Sequence, residues 1–490
     1  MSPAVPRRRA IRGVVLTALA VALVYAGFGF AAARGGPGAA VGDEYFGLSR
    51  TRTGGGRLVP AAVLGNSDYC GACHLQIFHE WDASSHHFSS FNNPYYRRVA
   101  EATRERRGPE AVRFCAGCHD PLPLVSGELE RARSQEGAPL WSQNAGITCL
   151  ACHRITEIHG GNGGYTLSAP VLHPFAFSEN QALRWVHETL VRLTPSLHRA
   201  ALSKPFYASA EYCATCHQLT SPRALNGHAD VKLQDEHGDW KQSRFAAHGD
   251  GAKSCSGCHM PLVPSDDPAA RKGVIHSHRF TGGNTALPAL NRDDEQLQAT
   301  EAFLRGSGVE VRCAAALSPG GPESPCEEFR ASPGDEVLLR FEVQNGGVGH
   351  GFPGGTADSN EAWLALEIAD ARKRPLLVRG MVEPDLAVGP GAHFFRATAL
   401  SMDGQVLDRR TATTEAVRLL RDSVLAAGAR ARVEYRFTVP RRAAFPLGVT
   451  ATLNWRKFSP ELTRWVFAGD DAPELPITVI GRAAVEIGRR

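Results

Sequence analysis

The stretch "DYCGACHLQIFHEWDASSHHFSSF", residues 68–91, decides how this chain is read. Two cysteines and four histidines stand within 24 positions. Taken alone, Cys70-Gly-Ala-Cys73-His74 admits three chemistries. It is half of a zinc site, a thiol–disulfide pair, or the attachment point of a covalent haem.

The rest of the chain narrows the choice. The pattern recurs as Cys115-x-x-Cys118-His119, Cys149-x-x-Cys152-His153, Cys213-x-x-Cys216-His217 and Cys255-x-x-Cys258-His259. At these Cys and His frequencies chance supplies roughly 0.01 copies. Ten of the twelve cysteines are used, and His follows every second one. A zinc ribbon pairs its Cys-x-x-Cys units and has no need of that His. A thioredoxin-like motif normally appears once, in a βαβ setting that is not seen here. Haem c needs this spacing: two thiols add to the porphyrin vinyls, and the adjacent His reaches the iron. The expected cofactors are five covalently bound haem c groups, with His74, His119, His153, His217 and His259 as proximal ligands.

Residues 1–40 read as a signal peptide or N-terminal membrane anchor. Arg7, Arg8, Arg9 and Arg12 precede an uncharged run of 21 residues, Gly13 to Ala33. That is long enough to span a bilayer, and Ala31-Ala32-Ala33 also suits cleavage. Either way the chain is expected in the periplasm or on the outer face of the cytoplasmic membrane. The formal charge of +4 misleads, because ten haem propionates bring the holoprotein to about −6. Nucleic acid is therefore not an expected partner.

Residues 41–66 are Gly- and Arg-rich and read as a flexible tether. Residues 67–290 form the expected pentahaem domain, α-rich and irregular, with motif starts separated by 45, 34, 64 and 42 residues. Within it, Leu183, Val186, Leu190 and Leu193 predict a helix over 180–202. Past 290 alternation replaces clustering, as in "VLLRFEV" (337–343), "ARVEYRFTV" (431–439) and "VTATLNW" (449–455). With Asp403-Gly404 as a hairpin turn, these predict a β-sandwich over 300–490. Cys313 and Cys326 are expected to form a disulfide.

The motif set, with "WDASSH" after the first motif and "HSHRF" (276–280) after the fifth, resembles the multihaem c-type cytochromes of the c-554 group, more distantly hydroxylamine oxidoreductase. "GHGFPGGTADSNEAWL" (349–364) and "LNWRKFSPELTRWVF" (453–467) resemble the β-domain that follows in some members. The resemblance implies electron carriers and a few enzymes. Relatives commonly carry four haems in this domain, so the distal pairing does not transfer directly. The resemblance selects His86 as a distal ligand, with His87 its close rival, and His198 before the fourth motif. His248 follows an echoed Trp-x-x-Ser. His278 is chosen with His276 in reserve. His350 stands in the Gly-rich "GGVGHGFPGG" (346–355). It is either a distal ligand joining the two domains or a turn residue hydrogen-bonded to backbone.

The expected function is electron transfer between redox partner proteins, or from a quinol-linked donor. Membrane contact would come only through an uncleaved leader. The chain reads more as a carrier than as a catalyst. The alternative is a multihaem oxidoreductase with one open-site haem, acting on a small nitrogen or sulfur compound.

Overall fold

The structure, a computed structural model, describes residues 39–130, 141–169, 173–176, 178–247, 249, 251–469 and 471–490. The apolar run at 13–33 lies outside the described residues. Among the described residues no helix is long and apolar enough to cross a membrane.

Up to residue 305 the chain mixes short helices with small sheets, so α-rich describes it only in part. Among the described helices, those longer than eleven residues are Pro94–Arg107, Gln181–Leu193 and Asp294–Arg305. Between the helices lie β1 (Arg52–Thr53), β2 (Ile155–Gly160), β3 (Gly164–Leu167), β4 (Gln218–Ser221), β5 (Val231–Asp235), β6 (Leu262–Pro264) and β7 (Val274–His276). They pair as β1-β3-β2, β4-β5 and β6-β7. Pro121 and Pro261 follow two motif helices. Pro121 opens a new helix at its first turn, where its missing N–H costs nothing, and Pro261 precedes a strand.

The stretch expected as a tether is built into this core instead. Phe46, Val59, Ala61 and Leu64 are buried in one cluster with Leu122, Leu124, Leu150 and Tyr165. Their apolar side chains gain more from burial than the glycines between them lose in freedom. The helix expected over 180–202 breaks at Thr194-Pro195. His187 and Leu190 turn inward, while Leu183 and Leu193 remain exposed. Pro195 lacks the N–H that would continue the ladder.

From residue 309 onward strands dominate. They are β8 (Val309–Leu317), β9 (Arg330–Ala331), β10 (Glu336–Asn345), β11 (Glu361–Ala369), β12 (Pro375–Arg379), β13 (His393–Phe395), β14 (Thr398–Leu400), β15 (Val406–Leu407), β16 (Arg418–Leu420), β17 (Arg430–Thr438), β18 (Leu447–Arg456) and β19 (Thr478–Arg489). One sheet runs β17-β10-β8. The other runs β12-β11-β18-β19-β9, with β13 also on β11. A third, small sheet, β15-β14-β16, carries the Asp403-Gly404 turn. Alternation puts Val337, Leu339, Phe341 and Val343 of β10 on the same face as Val433, Tyr435 and Phe437 of β17. These meet Leu364, Leu366 and Ile368 of β11 and Val449, Ala451 and Leu453 of β18 in one buried cluster. That is the inner layer of a two-sheet sandwich. Cys313 and Cys326 are joined, with Cα atoms 6.1 Å apart.

The two regions are bound to one another. Tyr95 stacks on Phe458 at 3.9 Å between ring centres, and its hydroxyl lies 3.0 Å from Thr463 Oγ1. Trp455 Nε1 donates to the Gly283 carbonyl at 2.9 Å.

Candidate haem site

Each motif sits on or beside a short helix with a built start. Asn66, Thr148, Ser209 and Ser254 accept hydrogen bonds from the first-turn N–H groups of four of them. A helical turn places residues three and four apart on one face. The two thiols and the following imidazole therefore look the same way. They look into a cavity of about 2640 Å³, lined by all ten motif cysteines and all five motif histidines. An ordinary ligand pocket holds about 300–1,000 Å³. A space this large, ringed by five attachment motifs, fits several porphyrins.

The histidines test the fit more closely. His74 faces His198 with ring centres 6.2 Å apart and planes 14° apart. His153 faces His278 at 6.4 Å and 23°. His259 faces His350 at 6.3 Å and 12°. His217 faces His86 at 6.2 Å, tilted by 56°. Two imidazoles bound at about 2 Å to opposite sides of one metal ion have centres about 6 Å apart. All four separations match a single metal ion between the rings, and all are too wide for direct ring contact.

Hydrogen bonds fix which nitrogen is available. The Nδ1 atom lies 2.8 Å from Asp267 Oδ1 in His74, and 3.0 Å from the Ser89 carbonyl in His119. In His153 it meets the Leu202 carbonyl, and in His259 the Thr281 carbonyl, both at 2.7 Å. In His278 and His350 it meets the carbonyls of His276 and Gly351, both at 2.9 Å. A metal-binding His characteristically donates its other ring N–H in this way, which leaves Nε2 for the metal. Burial supplies the second requirement, a neutral ring. It pushes His86 down to about 3, and His119, His198, His259 and His278 to about 4.

Neither rival ring faces a motif histidine. His87 stacks on Trp81 at 4.5 Å, with Nδ1 at the Asp82 carbonyl. His276 is exposed and bonded to the Met260 carbonyl. His350 does make the backbone hydrogen bond of the turn reading, yet its ring still faces His259. Gly354 allows this, since a Cβ there would lie 2.5 Å from the imidazole. His248 lies outside the described residues.

The thiols connect the motifs. Cys70 meets Cys149, Cys118 meets Cys216, and Cys213 meets Cys255 in side-chain contact. Cys152 Sγ lies 2.6 Å from Tyr212 Oη, one residue before the fourth motif. Among the described residues no cluster of three or more His, Cys, Asp or Glu side chains forms a zinc-type cage. Asp267, Arg409 and Lys457 also reach the cavity or its ligands. No pattern in the sequence singled them out, because each arrives from a segment far from the motif it serves.

No family model matches the chain, and no curated protein does. Among solved structures, a penta-heme cytochrome c552 from Thermochromatium tepidum is similar over 88% of this chain and 100% of its own length. The TM-score is 0.56 at 17% identity. The likeness is one of fold, that of a multihaem cytochrome. A glycosyl hydrolase family 2 member from Bacteroides cellulosilyticus aligns over 37% of the chain at 10% identity and a TM-score of 0.16, too low to bear on the fold.

Proposed function

We propose that this chain is an exported pentahaem c-type cytochrome that carries electrons between redox partners at the cell envelope. The observation behind this reading is the set of four imidazole pairs at metal-bridging separation. An iron held between two imidazoles has no position left for substrate, so it exchanges electrons rather than atoms. In this reading the ten motif cysteines hold five haems. The axial pairs are His74–His198, His217–His86, His153–His278 and His259–His350, and His119 is the proximal ligand of the remaining haem. The c-554-like motifs and the multihaem fold of the T. tepidum protein support the multihaem cytochrome reading.

The haem supplies the redox chemistry, and the chain supplies position and environment. Thiol contacts between motifs one and three, two and four, and four and five bring the haem edges together. Cys152 and Tyr212 join three to four. The route runs one–three–four and branches to two and five. Electron donor and acceptor are envelope redox proteins or a quinol-linked donor, and residues 13–33 serve as export signal or anchor.

Mass spectrometry of the protein matured in an exporting host is expected to show five haem additions. Near-infrared and paramagnetic spectra are expected to show at least four low-spin bis-imidazole irons. A mass with three or four additions, or mainly high-spin iron, would defeat the proposal.

A further inference from the structure

Glu80 is buried, and a glutamate is almost never buried unless something holds its carboxylate. It lies on the helix Leu75–Asp82, which starts directly after the proximal ligand His74. Its two hydrogen bonds are both to neutral N–H groups. Oε1 accepts from Gln76 Nε2 at 3.3 Å, one turn back on the same helix. Oε2 accepts from the backbone N–H of His278 at 2.7 Å. His278 is the ring that faces His153. A carboxylate on the first motif's helix therefore holds the distal candidate of the third motif. Its charge is also felt at the His278 imidazole. With Nδ1 on the His276 carbonyl, His278 is fixed at both backbone and ring.

The opposite link runs from the third motif to the first. His153 Nδ1 lies 2.7 Å from the carbonyl of Leu202, the last residue of the helix Pro195–Leu202. The next residue of the motif, Arg154, is buried and donates from Nη1 to the Ala201 carbonyl at 2.8 Å. Its Nη2 and Nε reach the carbonyls of Ala169 at 2.8 Å and Ser168 at 3.3 Å. The last carbonyls of a helix lack partners within it and carry its negative end, so an imidazole N–H and a guanidinium suit them. That helix carries His198, the ring that faces His74. The contact between Cys70 and Cys149 joins the same two motifs.

We propose that the first and third haems are ligated as one cross-braced unit, in which Glu80 positions His278 for the third haem and Arg154 positions His198 for the first. This rests on the pentahaem reading above and its axial pairs. Each distal imidazole is held from the proximal side of the neighbouring haem. A ligand whose geometry is locked by such supporting bonds stays in place as its iron changes charge.

The test uses the full, haem-loaded chain. It counts high-spin ferric haems by electron paramagnetic resonance, with imidazole as the added probe. His278→Ala and His198→Ala are each expected to create one. Glu80→Ala is expected to lose the low-spin signal of one haem, and imidazole to restore it. Combined with His278→Ala it is expected to add nothing, and combined with His198→Ala to add a second high-spin haem. Glu80→Gln keeps an oxygen for the His278 N–H, and is expected to stay low-spin with the potential of that haem raised. Glu80→Asp, which draws the carboxylate back by one methylene, stands in should Glu80→Ala fail to mature. Arg154→Gln is expected to give the mirror result, silent with His198→Ala and additive with His278→Ala. A merely structural role would leave every haem low-spin in both variants, or would raise the count in both backgrounds. Either result would overturn the proposal, as would a change confined to the haem of the mutated motif. Five haem additions by mass would leave the pentahaem reading intact in those cases. If His278→Ala and His198→Ala themselves create no high-spin iron, the axial pairs fall, and the cross-brace with them.

Discussion

Asp267 is the buried carboxylate that holds His74 Nδ1 at 2.8 Å. A carboxylate in this position makes the imidazole a stronger donor and favours the ferric iron. Asp267→Asn is expected to raise the potential of one haem by on the order of 50 mV, read by spectroelectrochemical titration with the remaining haems unmoved. His350→Ala tests a different ligand. It is expected to turn one low-spin haem high-spin, and exogenous imidazole to restore the low-spin signal. Unchanged spectra would return His350 to the role of turn residue. The two kinds of ligand were unequally legible in the sequence. A proximal His is covalently tied to its motif, so its number follows from the cysteines. A distal ligand can come from anywhere in the chain: His198, on the fourth motif's flank, faces His74, and His278, near the end of the region, faces His153. The resemblance points to His86, and the glycine run leaves His350 open between ligand and turn; in the structure the two rings face His217 and His259.

At the scale of elements, the strands declared themselves and the haem region did not. In β10, β17 and β18 every second residue is apolar, and those residues are the buried ones. Leu339, fully buried between the sheets, is expected to cost about 2–5 kcal/mol when cut to Ala, measured by denaturant unfolding followed at the β signal. The first half offers less periodicity, because its elements are short and line the cavity as much as they pack against one another. Leu183 and Leu193 do lie in the helix their spacing predicts, Gln181–Leu193, but on its exposed side, and the buried side carries His187 and Leu190. Close backbone approaches were equally silent. Gly146 has φ +63°, and a Cβ there would lie 1.8 Å from the His87 carbonyl and 2.7 Å from that of His86. Gly146→Ala is therefore expected to push the His86 backbone away from His217, and to appear as a fifth-coordinate fraction at one haem.

Across the whole molecule the β-region stands less as an appendage than as one wall of the haem cavity. Trp455, Lys457 and Phe458 come from a single stretch at the end of β18, and His350 and Asn360 from the loop before β11. Together they close the cavity against helices that begin at Pro94 and Ala286. A wall built partly of charge makes stability depend on pH. Burial holds Lys457 down to about 8 from its ordinary 10.5. Between those values the unfolded chain carries a proton on this lysine that the folded chain has given up. Stability therefore rises with pH across that window as far as this group is concerned, and is indifferent to it below about 8, where both states are charged. Other groups titrate over the same range, so the wild type alone does not isolate the effect. Lys457→Met does. It removes the buried charge, keeps the length of the stem, and is expected to raise the unfolding midpoint at pH 7 by more than at pH 10. Equal gains at the two pH values would mean that the ammonium is paired in the folded protein, and that the cavity wall carries no unmet charge.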